Sequence, residues 1–179
     1  STLLSWFLVP KLVQAFEKRT ILISSLFMIG VFQSVPFISY KLGYAPSFGS
    51  DSLVYFLSIF IFITGTFSLI SLMTRESMVP DMIDQVQKES NLRQDGAISS
   101  LTSFCAKCMT GLGQFFSMFV LWLISFPKGS VEATLQQKEM LALFQGPMIM
   151  ILFLIPIFIF AGYKIDREKH KEILRDLKK

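Results

Sequence analysis

Apolar residues in this chain come in long runs, and charged residues gather in the gaps between them. Segment 52–74, SLVYFLSIFIFITGTFSLISLMT, contains no charged residue. At 1.5 Å per residue, a helix of that length reaches about 35 Å, enough to cross a hydrocarbon core of about 30 Å. Segments 20–40, 97–126 and 140–163 are also long and apolar enough to span. Segment 2–16 is shorter and is interrupted by Pro10 and Lys11, so it reads as the closing part of a span. Because Ser1 lies inside an apolar run, the chain is expected to be a portion of a longer protein. The runs are joined by Glu17-Lys18-Arg19-Thr20, a Gly-, Pro- and Ser-rich loop at 41–51, a charged stretch from Arg75 to Asp95-Gly96, and a loop at 127–138. Pro36 falls near the far end of its span, where neighbouring helices can satisfy the freed carbonyl. Pro147 and Pro156 are predicted kink sites.

The pattern predicts an all-α membrane protein. Residues 1–163 form its transmembrane bundle, and residues 164–179 form a charged, helix-like tail. In the tail Asp166 precedes Lys169 and His170, and Glu168 precedes Lys171, at spacings that support a solvated helix. A basic patch grazing anionic lipid is the second reading of the same residues.

Composition agrees with the pattern. The chain is 52% hydrophobic and 17% charged, against about 25% charged residues in ordinary soluble domains. A soluble helical bundle is the alternative, and the clustering of charges into the gaps argues against it. The net charge of +4 comes almost wholly from the tail. No basic stripe interleaved with exposed aromatics occurs, so nucleic acid is not an expected partner. Cys105 and Cys108 form a C-x-x-C inside an apolar helix, without neighbouring ligands, and read as packing residues. Lys and Arg in the short flanks divide twelve to three in favour of the tail side. The tail is therefore expected to be cytoplasmic.

Lys107 is the sharpest single feature. It lies about 12 Å along the span that enters near Ser99. A charge at such depth costs about 2.5–3.5 kcal/mol on insertion scales and ordinarily faces a partner or a wet cavity. At roughly 100° per residue, Ser99, Ser103, Lys107, Thr110, Gln114 and Ser117 fall within an arc of about 80°. This polar stripe predicts a cavity-lining helix, with Lys107, Ser103, Thr110 and Gln114 at the substrate cavity. The blander reading is that Ser and Thr bond their own backbone while Gln114 joins two helices. Asp81 and Asp84, after Pro80, also have two readings. They can be acids in the first turn of a short helix. They can equally form a cytoplasmic gate with Arg75 and Arg93, closing in one conformation and opening in the other. There is no catalytic constellation, metal-ligand spacing or phosphate-cradling loop, and the chain is not expected to be an enzyme.

SMVPDMIDQVQ, a charged linker with Arg93 and Asp95-Gly96, and then FCAKCMTG together resemble the helix 10–11 junction of the glycoside–pentoside–hexuronide:cation symporters of the major facilitator superfamily. Asp81, Asp84 and Lys107 match that family's D-x-x-D motif and the lysine of its following helix. EKRT is similar to its basic turn between helices 8 and 9. SMVPDMID and the tail YKIDREKHKEILRDL look closest to the eukaryotic branch that includes the sodium-dependent lysophosphatidylcholine transporters. The resemblance implies roughly helices 8 to 12, within the C-terminal six-helix bundle of a twelve-helix transporter that works by alternating access. It implies that Lys107 and Ser103 line the substrate site. It also implies a coupling cation, Na⁺ or H⁺, bound by the N-terminal half, with no other cofactor. The sugar carriers place a tryptophan late in helix 10, and SLISLMT has no aromatic there. Arg75-Glu76 likewise stands where the family usually has apolar or aromatic residues.

The expected function is cation-coupled symport of a lysolipid-like or other amphipathic solute. The expected partners are that substrate, membrane lipids and the transporter's own N-terminal half. A sugar or glycoside symporter is the alternative within transport. A non-transporting structural membrane subunit of the same fold is the alternative outside it.

Overall fold

A computed structural model describes residues 2–47, 49–127, 132–162, 173 and 175. The described residues are helical throughout, apart from short connections, and no strand occurs among them. The helices are α1 (Thr2–Ala15), α2 (Lys18–Lys41), α3 (Asp51–Ser90), α4 (Asp95–Leu123), α5 (Leu135–Leu143) and α6 (Ile149–Ala161). A π-helical turn, Phe144–Met148, joins α5 to α6, so that Leu135–Ala161 is one broken span. Four helices, namely α2, α3, α4 and this broken span, are long and apolar enough to cross a membrane.

The helix ends follow local chemistry. Ser50 is extended, and its hydroxyl accepts from Leu53 N–H at 3.3 Å, which starts α3. Asn91 ends α3 in the left-handed conformation at φ 55, where a short polar side chain is tolerated. α4 stops at Leu123, earlier than the apolar run to 126 predicts, because Ser125 turns the chain at φ 50. α5 starts at Leu135, well before residue 140. Thr134 and Gln137 form a reciprocal capping box there, with each side chain accepting from the other's backbone N–H.

The largest departure from expectation is α3. The apolar run predicts a span over 52–74, with a separate short helix after Pro80. α3 instead continues unbroken for 40 residues, to Ser90. Its length is about 60 Å, twice the hydrocarbon thickness. Pro80 lacks an N–H and leaves the Glu76 carbonyl without its usual donor, yet the helix carries through. Asp81 and Asp84 are therefore inside a helix rather than in the first turn of one.

α2 and α3 form the centre of the structure. They run antiparallel in a steady register. Phe32 stacks on Phe67, with ring centroids 6.1 Å apart. Fourteen residues along, in opposite directions on the two helices, Lys18 meets Asp81. Leu22, Leu26 and Met78 are the buried core of this pair, and Phe153, Ile157 and Phe160 of α6 pack over it. Hydroxyls buried near this seam bond their own helices. Thr74 donates to Ile70 O at 2.7 Å, Thr66 to Phe62 O at 2.9 Å and Ser34 to Gly30 O at 2.9 Å.

The broken span crosses α2 closely at its π turn. A Cβ on Gly146 would lie 3.1 Å from Gln33 O and 3.4 Å from Ser34 Cα, so only glycine admits this approach without a shift. The next residue, Pro147, has no N–H to give to the ladder, and the wider π turn absorbs the missing bond. The predicted kink at Pro147 thus takes the form of a π turn, whereas the helix runs on through Pro36 and Pro156. The tail at 164–179 lies outside the described residues except for Ile173, which is helical and buried, and Arg175, which is helical and exposed. Lys128 and His170 also lie outside them.

Candidate functional site

Two regions concentrate polar chemistry. The first is at the tail-side end of the α2–α3 pair. Lys18, in the first turn of α2, reaches across to α3. Its ammonium donates to Asp81 Oδ2 at 2.7 Å, to Asp81 Oδ1 at 3.0 Å and to the Ser77 carbonyl at 2.8 Å. Asp81 is only 7% exposed, so this carboxylate is held largely away from water. Pro80 lies between the two acceptors in sequence, and the carbonyl it leaves without a donor is that of Glu76, next to Ser77. Next to it, Arg19 donates to the Ala161 carbonyl at the end of α6. The first turn of α2 therefore ties α3 on one side and the end of α6 on the other. It also places the end of α6 on the same membrane side as Lys18.

The remaining gate candidates separate. Arg75 pairs with its neighbour Glu76 at 2.8 Å, and both are exposed. Arg93, in the connection between α3 and α4, donates to Asp95 Oδ2 at 2.8 Å. That hydrogen bond raises the Arg93 pKa, and the Asp84 charge contributes in the same direction. Asp84 is half-buried on α3. Sequence reasoning counted Lys18 only toward membrane orientation and missed it as the partner of Asp81. The signal was available in the constant register of an antiparallel helix pair, given one anchor such as Phe32–Phe67.

The second region is α4. Val120 is its only buried side chain. Ser99, Ser103, Lys107, Thr110, Gln114 and Ser117 are all exposed. The Lys107 ammonium makes no hydrogen bond or ion pair with any described residue. Thr110 donates to the Ala106 carbonyl at 2.9 Å, as the blander reading of the stripe's hydroxyls expects. α4 turns Gly113, Phe116 and Val120 toward the broken span, where they meet Leu141, Phe144 and Ile149 around a cavity of about 410 Å³. Ser117, at the far end of the stripe, also lines this cavity, whereas Lys107, roughly 120° around the helix from Gly113, lies outside it. Cys105 and Cys108 are both free and exposed. No group of His, Cys, Asp and Glu that could hold a metal ion occurs among the described residues.

At the opposite end of α2, Glu139 accepts from Lys41 at 2.6 Å and from the Tyr40 hydroxyl at 2.9 Å. This joins the end of α2 to the start of α5, just as Lys18 joins the start of α2 to α3.

Long apolar helices with ionic ties at their ends mark an integral membrane protein. The family model for MFS/sugar transport protein matches residues 1–167. The chain belongs to this family of major facilitator transporters. No curated protein matches the chain, and no solved structure matches it.

Proposed function

We propose that the chain is the C-terminal portion, about helices 8–12, of a cation-coupled symporter that moves a lysolipid-like or other amphipathic anionic or zwitterionic solute by alternating access. The observation that carries this reading is Lys107. It is a cation at membrane depth, exposed on α4, with no partner among the described residues and with Ser103, Thr110 and Gln114 on the same stripe. A bare ammonium in that position is costly unless water or an anion meets it. The substrate headgroup meets Lys107, and the exposed apolar face of α4 accepts its hydrocarbon chain. The N-terminal half of the same transporter supplies the opposite wall of the cavity and binds the coupling cation, Na⁺ or H⁺. The Lys18–Asp81 contact serves as the gate on the cytoplasmic side, where the tail lies, with Asp84 one turn further along α3.

The deciding experiment is uptake by purified full-length protein in liposomes. Lys107→Ala inserts normally and loses uptake of a lysophospholipid. Unchanged uptake would sink the role of Lys107.

A sugar or glycoside substrate is the second reading, favoured by the description of the matching family as sugar transport. Lysophospholipid and glycoside uptake measured side by side, each with and without a Na⁺ or pH gradient, separates the two. Absence of uptake for both, in protein that inserts normally, would favour the non-transporting structural subunit.

A further inference from the structure

A cavity of about 430 Å³ lies between α2, α3 and the broken span, at the end away from Lys18. Phe32, Phe37, Phe60 and Ile61 supply apolar walls, and Gly146 closes it where the broken span crosses α2. Its volume is within the range of about 300–1,000 Å³ typical of small-ligand pockets. Three polar side chains line it: Gln33, Gln145 and Lys138. None of the three makes a hydrogen bond or ion pair with a described residue. The neighbouring acid does not neutralise Lys138, because Glu139 is engaged by Lys41 and Tyr40.

Depth identifies the occupant. The Lys41–Glu139 contact marks the end of α2 and so the headgroup level on the side opposite the tail. Lys138 is one residue from this contact. Gln145 is seven residues further along, roughly 10 Å deeper at the helical rise. The cavity therefore carries a cation at its headgroup end, two unpaired amides further in, and aromatic and aliphatic walls at chain depth. The walls beside the two amides are aromatic and aliphatic, which suits an acyl chain.

We propose that this cavity holds a resident glycerophospholipid drawn from the leaflet opposite the tail. Its phosphate meets the Lys138 ammonium. An ester carbonyl accepts from the Gln33 and Gln145 amides, and one acyl chain fills the space between Phe32, Phe37 and Phe60. The proposal rests on the membrane fold and not on the role of Lys107. Lys107 does not line this cavity.

The test uses full-length protein, delipidated in detergent and titrated with dioleoylphosphatidylcholine, with bound lipid counted by native mass spectrometry. Wild-type protein binds one lipid tightly. Lys138→Ala weakens it about fivefold, as for one ammonium at a lipid headgroup. Lys138→Glu weakens it further, Ala142→Trp fills the cavity and removes it, and Lys107→Ala leaves it in place. Wild-type lipid affinity in Lys138→Glu overturns the proposal, and that exposed substitution does not depend on the core refolding. Loss of the lipid in Lys107→Ala also overturns it, because the molecule counted would then be bound in the transport cavity.

Discussion

Lys18 and Asp81 meet across the α2–α3 seam, the ammonium 2.7 Å from one carboxylate oxygen and 2.8 Å from the Ser77 carbonyl. One side chain thus neutralises a largely buried acid and also bonds a backbone carbonyl one turn before it. Removing either partner takes the opposite charge of this contact away from the other. Lys18→Ala and Asp81→Ala are each expected to lower stability by about 2–3 kcal/mol, below the 3–5 kcal/mol of fully buried pairs because Lys18 is partly exposed. A double-mutant cycle by thermal unfolding in detergent should give a coupling of about 1–2 kcal/mol. The exchanged pair, Lys18→Asp with Asp81→Lys, should recover only part of the loss, since an aspartate at position 18 cannot donate to Ser77. Additive single effects would show that the contact contributes nothing.

The close crossing at Gly146 predicts a steep response to size. Gly146→Ala puts a methyl 3.1 Å from a backbone carbonyl and should cost about 1–3 kcal/mol, with Gly146→Val worse. Gly96, in the first turn of α4, has nothing within 4 Å of an added Cβ. Gly96→Ala should therefore stabilise α4 by up to about 1 kcal/mol through helix propensity. Unfolding midpoints for the two alanine variants should move in opposite directions.

These two sites show what could be read from the chain and what could not. The apolar runs gave the spans because the bilayer imposes their length, whatever the packing partners. The stripe on α4 was legible because helical spacing alone puts Ser103, Lys107, Thr110 and Gln114 together. The continuation of α3 to Ser90 was not. Pro80 and the charges around it look like a helix boundary, and the lysine that meets Asp81 and the Ser77 carbonyl there is 59 residues from Ser77 in sequence, though near in space. The cavity near Lys138 was equally hidden, since three separate stretches of chain build it. Pro147 announced a distortion but not its π form, which depends on how closely α2 approaches Gly146.

The stripe predicts a pattern of water access along α4. In a background with Cys105→Ser and Cys108→Ser, cysteines placed at Ser103, Lys107 and Gln114 of full-length protein in membranes should react with a charged, membrane-impermeant thiol reagent. Cysteines at Phe104 and Phe115, on other faces of the helix, should react at least tenfold more slowly. Equal rates at all five positions would show that the stripe does not line a wet path.

The capping box at the start of α5 predicts a local effect. Thr134→Ala should destabilise the first turn of the broken span by about 0.5–2 kcal/mol. Gln137 does more than cap, because its amide also donates to Ser125 O at 2.7 Å and so holds the connection from α4. Gln137→Ala should therefore speed backbone amide exchange both near Thr134 and around Ser125. Thr134→Ala should speed it mainly near Thr134.

The unbroken length of α3 makes it a mechanical arm. Phe67 is braced by Phe32 at membrane depth, and Ser90 lies 23 residues beyond it on the tail side. At 1.5 Å per residue, a swing of about 10° about Phe67 carries the Ser90 end through roughly 6 Å. A separate short helix after Pro80 would lose that gain at its joint, whereas a continuous rod delivers it to the connection where Arg93 grips Asp95. A small rotation between the packed helices around Phe67 would thereby be magnified into a side-chain-sized displacement at the Ser90 end.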